Sequence, residues 1–295
     1  MIQKLNENGI ETHQSEADAD TLIVNFAIEF SNKKIPTVVV GVDTDILILL
    51  LSLHIESYSK IWYLNPGKNK KPSLIYNIPS EKRKLGDMCN VLLFAHAMTG
   101  CDTTSAFYRK GKIKGYELLK KNKNLRNEMK VFYKKDATKE EISAAGEKFI
   151  LALYDNKNIK DLNKLRYYIY NRIMVRIQLH SRFDISNLPP TKSAADQHSY
   201  RVYHQVQSWL GNELDPMQWG WTLKNNSLYP HMTSLAPAPE EILKFISCAC
   251  KTACNNRCEC KKSGMHCSPL RQHCNGRSCD NIADVGNEYD EDDDL

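Results

Sequence analysis

Thr37-Val38-Val39-Val40-Gly41-Val42-Asp43-Thr44-Asp45-Ile46-Leu47-Ile48-Leu49-Leu50-Leu51-Ser52-Leu53 is the stretch whose reading decides the fold. Thr37 to Gly41 is a short β-branched run closed by glycine, the pattern of a buried strand. Asp43-Thr44-Asp45 follows at once, and Ile46 to Leu53 continues as an apolar run that turns into a helix. Strand, acidic turn and helix in succession form the unit of an α/β sheet. In open sheets of that kind, ligands bind at the carboxyl ends of the strands, and Asp43 and Asp45 stand at such an end.

Working outward, residues 17 to 30 read as a helix, with Leu22, Ile23, Phe26, Ala27 and Phe30 at helical spacing. Ile61 to Leu64 and Leu74 to Ile78 are further strand candidates, joined through Asn65-Pro66-Gly67-Lys68, which has turn chemistry. Met88 to Met98 reads as a buried helix stopped by Gly100. Beyond Cys101 the pattern is helical. Thr138 and Glu141 make a capping box ahead of an amphipathic segment to Tyr154. Lys160 to Leu179 and Ser193 to Leu210 are two more helices, separated by Pro189-Pro190. Residues 211 to 240 read as irregular and aromatic, and Trp219 and Trp221 there are expected in a packed core rather than on bases. The expected layout is an α/β domain with a parallel sheet over 1–136 and an α-helical region over 137–240. A small cysteine-rich domain (241–281) and an acidic, disordered tail (282–295) follow.

The chain has 295 residues, 42% hydrophobic and 25% charged, which is enough for a sizeable core and excludes a collagen-like or wholly disordered chain. It has no apolar run of about 20 residues, so no membrane span is expected. The first residues carry no apolar signal core, and an intracellular protein is expected, a nuclear one if it binds DNA. Charge is uneven. Lys60 to Asp136 holds 18 Lys/Arg against 6 Asp/Glu, Lys244 to Cys279 holds 7 against 1, and Asp284 to Asp294 holds seven acids and no base. Two basic regions suit a polyanionic partner such as DNA, and the acidic tail would compete with that partner for them.

The first half carries carboxylates at three separated points: Glu16, Asp18 and Asp20; Asp43 and Asp45; and Asp102. Each borders a regular element. Gathered at one strand end they would repel one another, a repulsion relieved by Mg²⁺ or Mn²⁺. Read singly, Asp18 and Asp20 are helix-start residues and Asp43 a turn residue. Read together, they can hold hard cations that activate water against a phosphodiester.

Ser15-Glu16-Ala17-Asp18-Ala19-Asp20, Val40-Gly41-Val42-Asp43-Thr44-Asp45-Ile46-Leu47 and Thr99-Gly100-Cys101-Asp102-Thr103-Thr104 resemble, in order and local context, the motifs of flap-endonuclease/XPG nucleases, whose fold is PIN-like. The resemblance covers roughly residues 1 to 120. It implies a two-metal site in which Glu16, Asp18, Asp43, Asp45 and Asp102 are catalytic; Asp20 has no counterpart. It also implies a first strand bearing a further Asp, which would precede Met1, so an N-terminally incomplete domain with an exposed sheet edge is expected. After Asp102, the stretch Phe107 to Tyr116 occupies the place of a glycine-containing, DNA-holding turn between helices. Gly111 and Gly115 with Arg109, Lys110, Lys112 and Lys114 are the expected phosphate contacts there.

Eight of the ten cysteines lie between Cys248 and Cys279: Cys248, Cys250, Cys254, Cys258, Cys260, Cys267, Cys274 and Cys279. With few large aliphatics among them, zinc would have to supply the folding energy. The Cys-x-Cys pairs suit thiolates that bridge neighbouring ions, and His266 and His273 are optional ligands. The spacing resembles the CXC domain of tesmin-like proteins over about 34 residues. That resemblance implies a zinc cluster that binds DNA through interleaved basic residues, with one expected cysteine missing between Cys267 and Cys274. The joined arrangement also resembles multicopy animal proteins linked to mobile elements, a resemblance that carries no assigned activity.

Two functions are open on this reading. One is a metal-dependent, structure-selective nuclease acting on branched or flap DNA, with a zinc-bearing nucleic-acid-binding tail. The other is a catalytically inactive DNA-binding or chromatin-associated protein in which the CXC module carries the function.

Overall fold

A computed structural model describes residues 2–15, 19–55, 59–67, 72–155, 159–177, 185–231, 233, 250, 254, 257–262 and 281. Helix α1 (Ile2–Glu7) buries nothing, and α2 (Ala19–Asn32) buries Val24, Ala27 and Ser31. Strand β1 (Thr37–Val40) leads into α3 (Thr44–Leu53), whose first turn is capped by Asp43. Strands β2 (Ile61–Asn65) and β3 (Leu74–Asn77) follow, then α4 (Ile78–Leu85), capped by Asn77 and started by Pro79. Gly86–Val91 forms a 3₁₀ turn before α5 (Leu92–Met98), all seven of whose residues are buried. The expected continuous helix from Met88 is therefore shorter and begins only after the 3₁₀ turn.

The sheet is mixed rather than parallel. Its order is β1-β2-β3; β1 and β2 run parallel, with Thr37 opposite Ile61 and Val40 opposite Leu64. β3 runs antiparallel to β2, with Leu64 opposite Ile75. The physical reason lies in the short link from β2 to β3, because a parallel return needs a crossover of about a dozen residues or more. Among the described residues β1 is an edge strand, and Val38, Val40 and Ile75, on one face of the sheet, are more than half exposed.

The helical half comprises α6 (Lys112–Lys121), α7 (Lys123–Glu128), α8 (Lys139–Leu153), α9 (Leu162–Ile177) and α10 (Lys192–Trp209). Thr138 and Glu141 form the capping box read from the sequence, with both reciprocal hydrogen bonds present. The supposedly irregular stretch contains a hairpin of β4 (Trp221–Lys224) and β5 (Ser227–Pro230), turned at Asn225 and Asn226 with φ of 50° and 61°. Two asparagines at positive φ are the chemistry of a tight hairpin turn. A short helix, α11 (Glu259–Lys262), lies in the cysteine-rich stretch.

One core cluster runs from Val24 to Trp209 and joins the sheet to the helices. Its centre is Phe94 on α5, fully buried, with ring centroids of Phe132 at 4.5 Å and Phe149 at 5.2 Å. Helices α8 and α10 approach so closely at Gly146 that a Cβ there would stand 2.0 Å from Ser199 Oγ. His198 of α10 is buried and donates from Nε2 to the Met98 carbonyl at 3.1 Å, so α10 closes the end of α5.

This buried imidazole makes stability depend on pH. Burial outweighs the opposing Met98 hydrogen bond, with a smaller contribution from the charge of Arg201, and pushes the His198 pKa down to about 4 from 6.5. Between those values the unfolded chain binds the extra proton. Stability present above pH 6.5 is lost as pH falls towards 4, by about 3 kcal/mol in all. Urea unfolding across that window is expected to show this slope, and His198→Gln to flatten it; an equal slope in the variant would assign the pH dependence elsewhere.

Candidate metal centre

The turn from β1 to α3 is built by local hydrogen bonds. Asp43 has extended backbone angles, and its Oδ1 accepts from the Asp45 amide at 3.0 Å. Such a side-chain cap satisfies one of the amides that a helix start leaves without a partner. Beneath the turn, Tyr63 of β2 donates from its hydroxyl to the Asp43 carbonyl at 2.6 Å. A Cβ on Gly41 would stand 3.2 Å from Ile46 and 3.4 Å from the Tyr63 ring, so the small residue before the acids lets the turn sit on Tyr63.

Asp20 enters from the first turn of α2. One ligand atom each from Asp20, Asp43 and Asp45 lie within 4.8 Å of one another. Asp43 is exposed, and Asp20 and Asp45 are half-buried. Burial pushes the Tyr63 hydroxyl pKa up, and the charges of Asp43 and Asp20 add to the effect. Three carboxylate oxygens so close form a donor set of the hard kind that suits Mg²⁺ or Mn²⁺.

Asp45 is held from behind. His96 on α5, 5% exposed, donates from Nε2 to Asp45 Oδ1 at 2.8 Å, and its ring lies 5.8 Å from that of Trp209 on α10. This hydrogen bond is the main cause of a lowered Asp45 pKa; burial opposes it, and the charges of His96 and Lys112 and the Thr44 hydroxyl reinforce it. Asp20 belonged to the acidic constellation read from the sequence but had no counterpart in the resemblance, and His96 stood in neither reading. Asp20 has a local signal, two residues after Asp18 on the same helix start. His96 has none, being 51 residues from its partner. Groups that orient metal ligands typically change affinity by 10–100-fold when removed. His96→Ala is expected to weaken Mn²⁺ binding by about tenfold or more, read by titration of the paramagnetic ion. Unchanged affinity would reduce His96 to a packing residue.

Of the expected catalytic acids, the structure brings Asp43 and Asp45 together. Asp102 stands exposed in the Cys101–Thr104 turn after α5 and is not one of the three grouped acids. That turn is tied to α10 by a hydrogen bond from Thr103 Oγ1 to Gln205 Oε1 at 2.6 Å. Glu16 and Asp18 lie outside the described residues.

The basic stretch after Asp102 forms the entry to α6. Gly111 is the N-cap residue, whereas Gly115 lies inside the helix, where a Cβ would meet Thr99 Cγ2 at 2.5 Å. The second glycine therefore serves helix packing rather than the turn. Arg109, Lys112 and Lys114 are exposed, while Lys110 is turned inward with Nζ 5.0 Å from the Tyr154 ring centroid.

In the cysteine-rich stretch, the Sγ atoms of Cys250, Cys254 and Cys258 lie within 4.8 Å of one another, with Cys254 and Cys258 buried. Three gathered thiols suit a soft, thiophilic ion such as Zn²⁺. Cys260 stands within α11; Cys248, Cys267, Cys274 and Cys279 lie outside the described residues. Among the described residues no helix is long and apolar enough to cross a membrane. Comparison of the chain with protein-family models, with curated proteins and with solved structures gives no match.

Proposed function

We propose that the chain is a divalent-metal-dependent nuclease of the PIN-like, flap-endonuclease type that hydrolyses phosphodiesters in branched or flap DNA. The observation that carries this reading is the convergence of Asp20, Asp43 and Asp45 at the carboxyl end of β1. Asp20, Asp43 and Asp45 would hold Mg²⁺ or Mn²⁺, which when bound lowers the pKa of water and neutralises charge on the phosphate. The chain's own contribution is positional. Asp43 is fixed by its cap and by Tyr63, and Asp45 is oriented by His96. Arg109, Lys112 and Lys114, exposed around the Gly111 N-cap, supply the cationic approach for the DNA backbone, whereas Lys110 faces Tyr154; such contacts position a strand without reading its sequence. The test is cleavage of labelled single-stranded, duplex and 5′-flap DNA with Mg²⁺ or Mn²⁺, wild type against an Asp43 variant. Cutting that survives unchanged in the variant would sink the reading.

The thiols support a second module, a zinc-bound CXC element that binds nucleic acid in the nucleus. If the acidic site proves inactive, this element carries the function of a DNA-binding or chromatin-associated protein. Cys258→Ser is expected to reduce the zinc content of the purified chain, measured by atomic absorption, and to weaken DNA binding. Full zinc content in that variant would remove Cys258 from the ligand set.

A further inference from the structure

Ser105 to Tyr116 contains four cations and no acid. Within it, Ile113 is 81% exposed, more than any other large hydrophobic among the described residues, and Tyr108 is 43% exposed. The Arg109 guanidinium lies 5.0 Å from the Tyr108 ring centroid. The segment is braced from inside. The Phe107 carbonyl accepts from the Lys110 amide at 3.1 Å, the Phe107 ring meets His198 at 5.2 Å, and Lys114 Nζ donates to the Arg109 carbonyl at 3.0 Å. A single exposed isoleucine is ordinary. An exposed isoleucine and an exposed tyrosine among outward cations, on a braced segment, form a surface of mixed chemistry. It matches a ligand that offers anions and flat apolar faces together.

We infer that Tyr108 to Lys114 is the docking surface for an unpaired DNA strand. Arg109, Lys112 and Lys114 meet phosphates, and Tyr108 and Ile113 meet base faces. In a duplex those faces are covered by the neighbouring base pairs, so only the phosphate contacts remain; in an unpaired strand both kinds are made. The surface therefore selects single-stranded DNA and strand ends over blunt duplex. Helix α6 packs on the end of α5, where a Cβ on Gly115 would meet Thr99 Cγ2 at 2.5 Å, and α5 carries the His96 that bonds Asp45. That a strand held here serves the acidic triplet rests on the nuclease reading above.

The test is fluorescence anisotropy of the full chain in EDTA, with a labelled oligo-dT strand and a labelled blunt duplex. The wild type is expected to prefer the strand. Tyr108→Ala combined with Ile113→Ala is expected to weaken strand binding by about tenfold or more, with the duplex almost unaffected. Tyr108→Phe keeps the wild-type preference, and Lys112→Gln weakens both ligands and flattens their salt dependence. Equal binding of strand and duplex by the wild type, or a double variant that binds the strand undiminished, overturns the inference. Because no metal is present, the two readings fail separately. A chain that prefers the strand but cuts nothing with Mg²⁺ or Mn²⁺ loses the nuclease reading. A chain that cuts without that preference loses the docking surface.

Discussion

Asp43→Asn is expected to abolish metal-dependent cleavage while leaving the fold intact. Asparagine caps a helix about as well as aspartate, so the bond from the Asp45 amide survives and stability should change by only a few tenths of a kcal/mol. What disappears is one charge of three within 4.8 Å. Without a metal, its removal relieves repulsion among Asp20, Asp43 and Asp45, so the metal-free variant should be no less stable than the wild type. With a metal, the donor set loses its most exposed anion. Metal ions contribute several kcal/mol of transition-state stabilisation, so a fall of at least about 10²–10³-fold in cleavage rate is expected. A parallel Mn²⁺ titration should show weakened binding. Asp43→Ala is the less informative variant, because it also removes the cap at a cost of about 1 kcal/mol. Undiminished cutting by a folded Asp43→Asn chain would show that the acids serve the turn and not the chemistry.

Phe94→Ala is expected to have the largest effect on stability, about 3–5 kcal/mol. The side chain is fully buried between Phe132 and Phe149, and the Phe94 amide donates to the Tyr133 hydroxyl at 3.2 Å. Truncation leaves a cavity that three converging helical segments cannot close without moving. Since whole domains are stable by only about 5–15 kcal/mol, the loss is a large share of the total. Two residues further along α5, His96 orients Asp45, so the same variant should also bind Mn²⁺ more weakly. Denaturant midpoints with circular dichroism measure the first effect and metal titration the second. A loss below about 1 kcal/mol would mean that the α5 core relaxes far more readily than its packing suggests.

Much of the architecture is written in short stretches. Thr37 to Gly41 reads as a buried strand because β-branched residues run together; Thr37–Val40 form a strand, but as an edge strand it buries only Val39. Thr138 and Glu141 read as a capping box because both bonds span three residues, and both are made. The direction of β3 could have been read from the short link before it. Asn225-Asn226 carries turn chemistry in the sequence as well, and the β4–β5 hairpin it closes lies within the stretch that reads as irregular. Gly115 looked like a turn residue because glycine between lysines has two uses, and only the nearness of Thr99 distinguishes them.

The candidate site divides in the same way. Local chemistry alone placed Asp43 and Asp45 at a strand end, because cap, strand and helix start lie within a few residues of each other. It likewise marked the thiol spacing that brings Cys250, Cys254 and Cys258 within reach of one ion. Tertiary structure alone decided that Asp20 rather than Asp102 is grouped with Asp43 and Asp45, and that His96 and Trp209 stand behind Asp45. Hydrogen bonds and periodicity over three or four residues are carried by the chain itself. A contact between residues 45 and 96 exists only because buried faces of α3 and α5 pack together, and side-chain shape across the whole core sets that packing.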